Sequence, residues 1–155
     1  MSILNYNDWT LNESSSYIPE INDDQIIAAT LIGEAGGEPN KGMIAIKNVL
    51  DNRSSKKGTS AAGEALRPKQ FSMWNAATKD VSSKSDYDPN VINSIIDRYT
   101  SHEKWNDALS IARKALNDVT KGATFYYAHN KIKPPYWTKG WKQTVVIGNH
   151  TFGIA

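Results

Sequence analysis

The spacing of apolar residues predicts two consecutive helices in the first third of the chain. In "DQIIAATLIGEA" they recur three and four positions apart, the period of a helix with one buried face. Asp23 or Asp24 suits the N-cap of this helix. Gly36 and Gly37 should end it, because glycine adopts the left-handed conformation of a C-cap, and Pro39 fits the first turn of the next helix.

The second helix carries an apolar stripe, and we expect it to end at Arg53, before the polar "SSKKGTS". "AAGEALR" should add one or two helical turns, and residues 68–89 are expected to be irregular. Two further helices are predicted at about 89–99 and 103–117.

The period of the pattern changes after Gly122. "ATFYYAH" and "QTVVIGNHTFG" are rich in β-branched and aromatic residues, and they bracket the loop "KIKPPYWTKG". These segments predict a two-stranded hairpin with a long aromatic loop. The predicted fold class is therefore α+β, mostly helical, with a small β-hairpin near the C-terminus.

The length of 155 residues fits one domain with its own core. Residues 1–22 are polar and should form an N-terminal arm, pinned by Trp9, Tyr17 and Ile18, ahead of a domain over 23–155. The absence of cysteine excludes disulfides and thiolate chemistry. The first residues lack the basic and apolar regions of a signal peptide, and no apolar run approaches the ~20 residues of a membrane span. We expect neither a leader nor membrane insertion.

The charges are unevenly distributed. Residues 1–40 contain seven acidic residues and no Lys or Arg, whereas residues 41–155 hold all 18 basic residues and nine acidic ones. A basic body attracts anionic polymers such as nucleic acid or cell-wall glycan. Folding of the acidic segment onto the basic body explains the same pattern, so charge alone leaves both interpretations open.

Glu34 is the first candidate for chemistry. It follows the apolar "AATLI" at the end of the first helix, which directs its carboxyl from a buried helix toward the cleft that the Gly-Gly turn borders. Burial disfavours the ionised form of a carboxyl, and a general acid must hold its proton until it meets the substrate. The alternative is a polar helix end. Glu38 lies near the start of the second helix, where a carboxylate serves as a dipole partner or faces the same cleft.

Other chemistries have weaker support. His129, His150 and a carboxylate form a conceivable metal site, but they lack the paired spacing of HExxH, and no metal is predicted. No GxSxG elbow occurs, and "GEAGGEP" lacks the lysine of a P-loop. Aromatic rings stack on sugars as well as on other side chains. Trp137, flanked by turn residues, is the best candidate for such a contact, and ordinary packing is the alternative.

Several motifs, taken in order, resemble a known family. "LIGEAGGEPNKGMIAIKNVLDNR", "QFSMWN", "ALNDVTKGATFYYAH", "PPYW" and "VVIGNHTFG" are similar to the cell wall hydrolase family of spore cortex-lytic, SleB-type lytic transglycosylases, which includes phage lytic enzymes. The resemblance spans about residues 24–153. It implies a lysozyme-like fold and cleavage of the β-1,4 bond between MurNAc and GlcNAc in peptidoglycan, without a cofactor. It places the catalytic acid at Glu34 and substrate-binding positions at Glu38, Gln70, Phe71, Ser72, Tyr126, His129, Trp137 and His150.

In the mechanism that the resemblance implies, Glu34 protonates the leaving oxygen and then accepts a proton from the muramic acid 6-hydroxyl, which closes a 1,6-anhydro ring. A hydrolytic muramidase with Glu38 as the second carboxylate is one alternative. A non-catalytic glycan-binding module and a peptidoglycan amidase or endopeptidase are others. The expected partners are peptidoglycan glycan strands, not nucleic acid, and the expected state is a monomer. We expect a phage endolysin that is made in the host cytoplasm and acts on the wall after release, or an enzyme carried by a virion.

Overall fold

A computed structural model describes residues 22–78 and 87–155. The predicted N-terminal arm, with Trp9, Tyr17 and Ile18, lies outside the described residues except for its last position. The segment 79–86 of the stretch expected to be irregular also lies outside them. The boundary between arm and domain therefore stays a prediction.

The first predicted helix is α1, Asp23–Ala35. Its N-cap is Asn22, not an aspartate as predicted, and Asn22 Oδ1 accepts a 3.2 Å hydrogen bond from the N–H of Gln25. Asparagine caps a helix as well as aspartate does. Asp23 and Asp24 then lie in the first turn, where negative charge favours the helix dipole.

The turn after α1 also differs from the prediction. Gly36 is right-handed (φ −66°), and neither it nor Gly37 has a positive φ. Glycine is required here for steric reasons, because a Cβ on Gly36 would lie 2.6 Å from the carbonyl oxygen of Ile32. The chain can therefore turn sharply at the end of α1 without left-handed backbone.

The second helix, α2, spans Asn40–Lys57 and continues one turn beyond Arg53, its predicted end. The prediction was wrong because polar residues can extend a helix on its exposed side. Gly58 ends α2 in the left-handed conformation (φ +68°), and its N–H donates to the carbonyl of Ser54.

The other described helices are short. The helix predicted over 103–117 ends earlier, at Arg113, because Lys114 is extended (φ −102°, ψ 147°). The stretch expected to be irregular contains helical turns in its described part, since Phe71 and its neighbours begin a 3₁₀ turn. The remaining helices are α3 (Ala61–Ala65), a 3₁₀ turn (Ser72–Trp74), α4 (Asn75–Thr78), α5 (Pro89–Asp97), α6 (Trp105–Arg113) and a 3₁₀ turn (Tyr136–Thr138).

The C-terminal part of the chain forms a three-stranded antiparallel sheet, not the predicted two-stranded hairpin. The strands are β1 (Phe125–Ala128), β2 (Lys142–Ile147) and β3 (His150–Ile154), in the order β1-β3-β2. "QTVVIGNHTFG" supplies two strands because Gly148 (φ +55°) makes a tight turn within it. Strand β1 therefore lies at an edge of the sheet.

Helix α1 lies at the centre of the core. Its residues from Ile26 to Ile32 are buried, and it contacts α2, α3, α5 and α6. Trp74 is buried against it and donates a 2.9 Å hydrogen bond from Nε1 to Thr30 Oγ1. A central helix surrounded by others delivers its last turn, with Glu34, to the border between the helices and the sheet.

The predicted fold class is confirmed: the domain is α+β and mostly helical, with a small sheet near the C-terminus. Among the helices of residues 22–78 and 87–155, none combines the length and apolar character needed to cross a bilayer.

Candidate active site

A groove of about 710 Å³ runs along β1, between the sheet and the helices. One wall combines the last turn of α1, Arg53 of α2 and the turn over residues 69–71. The other wall combines β1 with the loop that leads to β2. The groove collects six of the nine predicted site residues, namely Glu34, Gln70, Phe71, Tyr126, Trp137 and His150.

Glu34 is held by a partner from β1. The Tyr126 hydroxyl donates a 2.5 Å hydrogen bond to Glu34 Oε1. Glu34 is the one acidic side chain among the described residues that line the groove. One carboxyl oxygen is thus occupied by the phenol, and Oε2 has no described protein donor, which leaves it for a group in the groove.

The environment of Tyr126 keeps its hydroxyl protonated, so that it remains a hydrogen-bond donor. Burial raises the pKa of the Tyr126 phenol well above its usual value, and the neighbouring Glu34 carboxylate raises it further. The phenol ring packs edge-on against His150, with ring centroids 5.3 Å apart, and against Phe152 at 5.5 Å. Because Phe152 is fully buried, this packing fixes the hydroxyl opposite Glu34.

Unlike Glu34, Glu38 has both carboxylate oxygens close to groups of the protein. Its Oε1 accepts a 3.1 Å hydrogen bond from the N–H of Asn149, and its Oε2 lies 3.2 Å from Nδ1 of His150. The backbone carbonyl of Glu38 accepts from Lys104 Nζ. Glu38 lines a smaller recess of about 250 Å³, which Glu34 also borders. Its carboxylate therefore joins the start of α2 to the β2–β3 turn.

His150 lies between the two glutamates. Its side chain is buried, and burial lowers its pKa below the ordinary histidine value, with the Glu38 carboxylate opposing part of that effect. The ring is therefore neutral at pH 7. It supports Tyr126 from one side while it contacts Glu38 on the other.

Gln70 and Phe71 are held by Arg53, which the sequence pattern predicts only as the end of a helix. Arg53 Nη1 donates a 3.3 Å hydrogen bond to Gln70 Oε1, and Nε donates to the carbonyl of Thr124 at 2.5 Å. The guanidinium lies 4.5 Å from the ring centroid of Phe125 and 5.9 Å from that of Phe71. Burial lowers the pKa of Arg53, although the group stays a cation.

A signal for Arg53 was present in the sequence. Ile46, Val49, Leu50 and Arg53 follow one another at helical spacing, so the arginine falls on the buried face of α2. A buried cation needs partners. The buried arginine therefore predicts polar or aromatic partners from other parts of the chain, and such a cluster is a candidate for a functional site.

Trp137 belongs to an aromatic cluster at the mouth of the groove. Its ring lies 5.9 Å from Phe125, 6.5 Å from Tyr127 and 5.6 Å from Trp141. It remains 39% exposed. The cluster holds the ring in place and leaves part of it open for contact with a ligand.

Besides Glu38, which lines the smaller recess, two predicted site residues are not brought into the groove. Ser72 is exposed at the start of a 3₁₀ turn, beside the groove-lining Phe71. His129 is exposed beyond the end of β1, and its Nδ1 lies 3.0 Å from Thr151 Oγ1. Within the described part of the chain, no three His, Asp or Glu side chains converge as metal ligands would.

Similarity to solved structures confirms the predicted lysozyme-like fold. The structure is similar to the catalytic domain of the germination-specific lytic transglycosylase SleB from Bacillus anthracis, with a TM-score of 0.53 and 21% identity over 91% of this chain and 99% of that one. It is equally similar to the catalytic domain of the Bacillus cereus SleB protein, with a TM-score of 0.53 and 21% identity over 92% and 99%. A search of curated proteins found no significant match.

The sequence model of the cell wall hydrolase family matches residues 37–153. The match includes Glu38, Gln70, Tyr126 and His150, and it begins three residues after Glu34. The predicted family and the prediction of a cell-wall-degrading enzyme are confirmed: this chain belongs to the cell wall hydrolase family.

Proposed function

We propose that the enzyme cleaves the β-1,4 bond between MurNAc and GlcNAc in peptidoglycan as a lytic transglycosylase, with Glu34 as its single acid and base. One observation carries the proposal. Glu34 is the one acidic side chain among the described residues lining the large groove, and the Tyr126 hydroxyl is fixed 2.5 Å from one of its oxygens. The similarity of the fold to SleB catalytic domains supports the same reaction class.

The reaction needs one carboxyl group in two successive roles. Protonated Glu34 gives its proton to the glycosidic oxygen as the bond from that oxygen to muramic acid C1 breaks. The substrate's acetamido group stabilises the positive charge that develops at C1. Ionised Glu34 then takes the proton of the 6-hydroxyl while that oxygen bonds to C1. The products are a 1,6-anhydro ring and a new free hydroxyl, and no water is consumed.

Tyr126 serves both stages of this cycle. Its hydroxyl donates to Glu34 Oε1, so the exchanged proton belongs on Oε2. Donation to a carboxylate is a charge-assisted hydrogen bond, which stabilises the ionised intermediate state of Glu34. Because its pKa lies well above the usual value, the phenol stays protonated throughout.

The hydrolytic alternative requires a second free carboxylate, and Glu38 is poorly placed for that role. Its two oxygens face the N–H of Asn149 and the ring of His150, and its side chain is only 13% exposed. A nucleophile or a base for water needs an oxygen free to meet the sugar. Glu38 is therefore assigned to positioning, with His150 and Tyr126 as the groups it supports.

Substrate contacts are assigned to the groove walls. Trp137 offers a partly exposed ring to sugars, and Gln70 offers an amide held by Arg53. Phe71 is buried in the groove wall and supports it from behind. Ser72 and His129 lie beside the groove, and their predicted role in binding stays a prediction.

The experiment compares wild type, Glu34→Gln and Glu103→Gln on purified peptidoglycan. Glu103 is exposed and does not line the groove, so its substitution controls for the loss of one negative charge. We expect Glu34→Gln to lose wall-clearing activity by at least about a thousandfold with an unchanged melting temperature, while Glu103→Gln clears walls like wild type. Activity of Glu34→Gln near the wild-type level would falsify the assignment.

Mass spectrometry of the products separates the remaining candidates. Anhydro ends indicate a transglycosylase, and reducing ends, heavier by one water, indicate a hydrolytic muramidase. New free amino groups would identify an amidase or endopeptidase, and binding without clearing would identify a glycan-binding module. The predicted endolysin role stays a prediction, and it is tested by comparing lysis of intact and permeabilised cells after external addition of the enzyme.

A further inference from the structure

Lys69 occupies an unusual backbone conformation at the groove. Its φ is +66°, in the left-handed region that favours glycine or asparagine, and the residue lines the groove on the wall opposite β1. Among the described residues it makes no hydrogen bond or ion pair with its side chain. A strained lysine without a structural partner at the rim of a site suggests that the side chain serves a ligand.

The charges around the groove support this interpretation. Lys69 and Lys131 both line it from opposite walls, and neither has a carboxylate within 4 Å among residues 22–78 and 87–155. Arg53, the third cation of the groove, is already engaged with Gln70 and Thr124. Two lysines without an ion-pair partner among the described residues therefore line the same groove, with Glu34 as the one acidic side chain among the described residues there.

We propose that Lys69, with Lys131 across the groove, binds carboxylates on the peptide side chains of the substrate, so that the enzyme prefers glycan strands with anionic peptides. The inference rests on the proposed function. The sugar rings and acetamido groups of the strand are neutral, so free carboxylates of the attached peptides are the anions that such a substrate presents. Lysine is a flexible point charge, which suits carboxylates on mobile peptides better than a rigid fork would.

The chain offers a matched control. Lys121 is also a lysine with a positive φ (+58°), but it does not line the groove. Lys69→Asn and Lys121→Asn each remove one positive charge and place asparagine, which tolerates the left-handed conformation, at such a position. The two substitutions differ only in their place relative to the groove.

The test measures binding, so that it does not depend on cleavage. Every variant carries Glu34→Gln, and each is sedimented with insoluble peptidoglycan from which phosphate polymers have been stripped. One portion keeps its carboxyl groups, and the other has them converted to amides with ammonia and a carbodiimide. We expect the Glu34→Gln parent to bind native peptidoglycan about two- to fivefold more tightly than amidated peptidoglycan. This difference corresponds to the contribution of one or two exposed ion pairs to binding. This preference should weaken in high salt.

Lys69→Asn should lose most of the preference for native peptidoglycan and bind amidated peptidoglycan as the parent does. Lys69→Arg should retain the preference, and Lys121→Asn should behave like the parent. Equal binding of the parent to both walls overturns the proposal, as does an equal loss for Lys69→Asn and Lys121→Asn. Weaker binding of Lys69→Asn to both native and amidated peptidoglycan also overturns the proposal. If the wild-type enzyme proves unable to cleave glycan yet shows this carboxylate preference, the proposed function fails while the binding site stands.

Discussion

The hydroxyl of Tyr126 donates a 2.5 Å hydrogen bond to Oε1 of Glu34, across 92 positions of the chain. The contact joins the last turn of the central helix to the edge strand of the sheet. It selects one oxygen of the carboxyl and leaves the other for the groove. The chemistry proposed for Glu34 therefore depends on the relative position of two elements as well as on the acid itself.

Tyr126→Phe should lower the turnover number on peptidoglycan by about ten- to a hundredfold, because a hydrogen bond to a charged group contributes about 1.5–3 kcal/mol. The ring and its packing on His150 and Phe152 remain, so the melting temperature should change little. Tyr87→Phe is the matched control, since Tyr87 packs against the hydrophobic core and does not line the groove. Equal turnover in the two variants would remove Tyr126 from the mechanism.

Gly148→Ala should disturb the contact of Glu38 with the β2–β3 turn. A Cβ at this left-handed position (φ +55°) would collide with Glu38 Oε1 and displace it from the N–H of Asn149. Gly58→Ala has a similar φ of +68° with open space around the new Cβ, so it reports the conformational cost alone, roughly 1–2 kcal/mol.

We expect Gly148→Ala to lose about 1 kcal/mol more than Gly58→Ala in the free energy of unfolding, the contribution of one hydrogen bond. It should also lower turnover, whereas Gly58→Ala should not. Chemical denaturation and a wall-clearing assay measure the two effects. Indistinguishable behaviour of the two variants would show that Glu38 has no positioning role.

The stability of the domain should fall as the pH decreases from about 6.5. Burial lowers the pKa of His150 below its ordinary value of 6.5, so in this range the unfolded chain binds a proton more readily than the folded one does. The contribution of neutral His150 is fully present above pH 6.5 and is lost as pH falls toward the lowered pKa of the folded state. Thermal unfolding at pH 7.5, 6.5 and 5.5 measures the trend.

His150→Phe should flatten that dependence, because it retains an aromatic ring and removes the titrating group. His102→Gln is the comparison variant, because it removes a histidine that does not line the groove. A slope that persists in His150→Phe would assign the pH dependence to another group.

Gly153→Ala should destabilise the domain by about 2–3 kcal/mol, because overpacking forces neighbours from their positions. A Cβ on Gly153 would lie 2.6 Å from Cε3 of Trp141 and 2.7 Å from the carbonyl oxygen of Lys142. Tryptophan fluorescence should change as Trp141 moves from the aromatic cluster. Gly37→Ala, where the new Cβ meets nothing within 4 Å, is the control that should leave stability and fluorescence unchanged.

Local pattern accounts for much of what the sequence reasoning found. The apolar period of α1 identified the helix and put Glu34 at its end, and the change of period after Gly122 identified the β region. The ends of elements were less accurate. Polarity suggested a stop at Arg53, whereas the helix continues to the left-handed Gly58, because backbone conformation at the cap decides where a helix ends.

The sequence by itself determined where the main helices and the β region lie, which face of each main helix is buried, and where its acidic and aromatic residues fall along the chain. Periodicity encodes those properties because burial of one face is a local requirement. The tertiary structure decided the partners: Tyr126 for Glu34, the β2–β3 turn for Glu38, and Gln70 and Thr124 for Arg53. An apolar helix face can be buried against any apolar surface, so the helix pattern does not specify its partner. The packing of α1 and α2 against the sheet determines which polar groups meet.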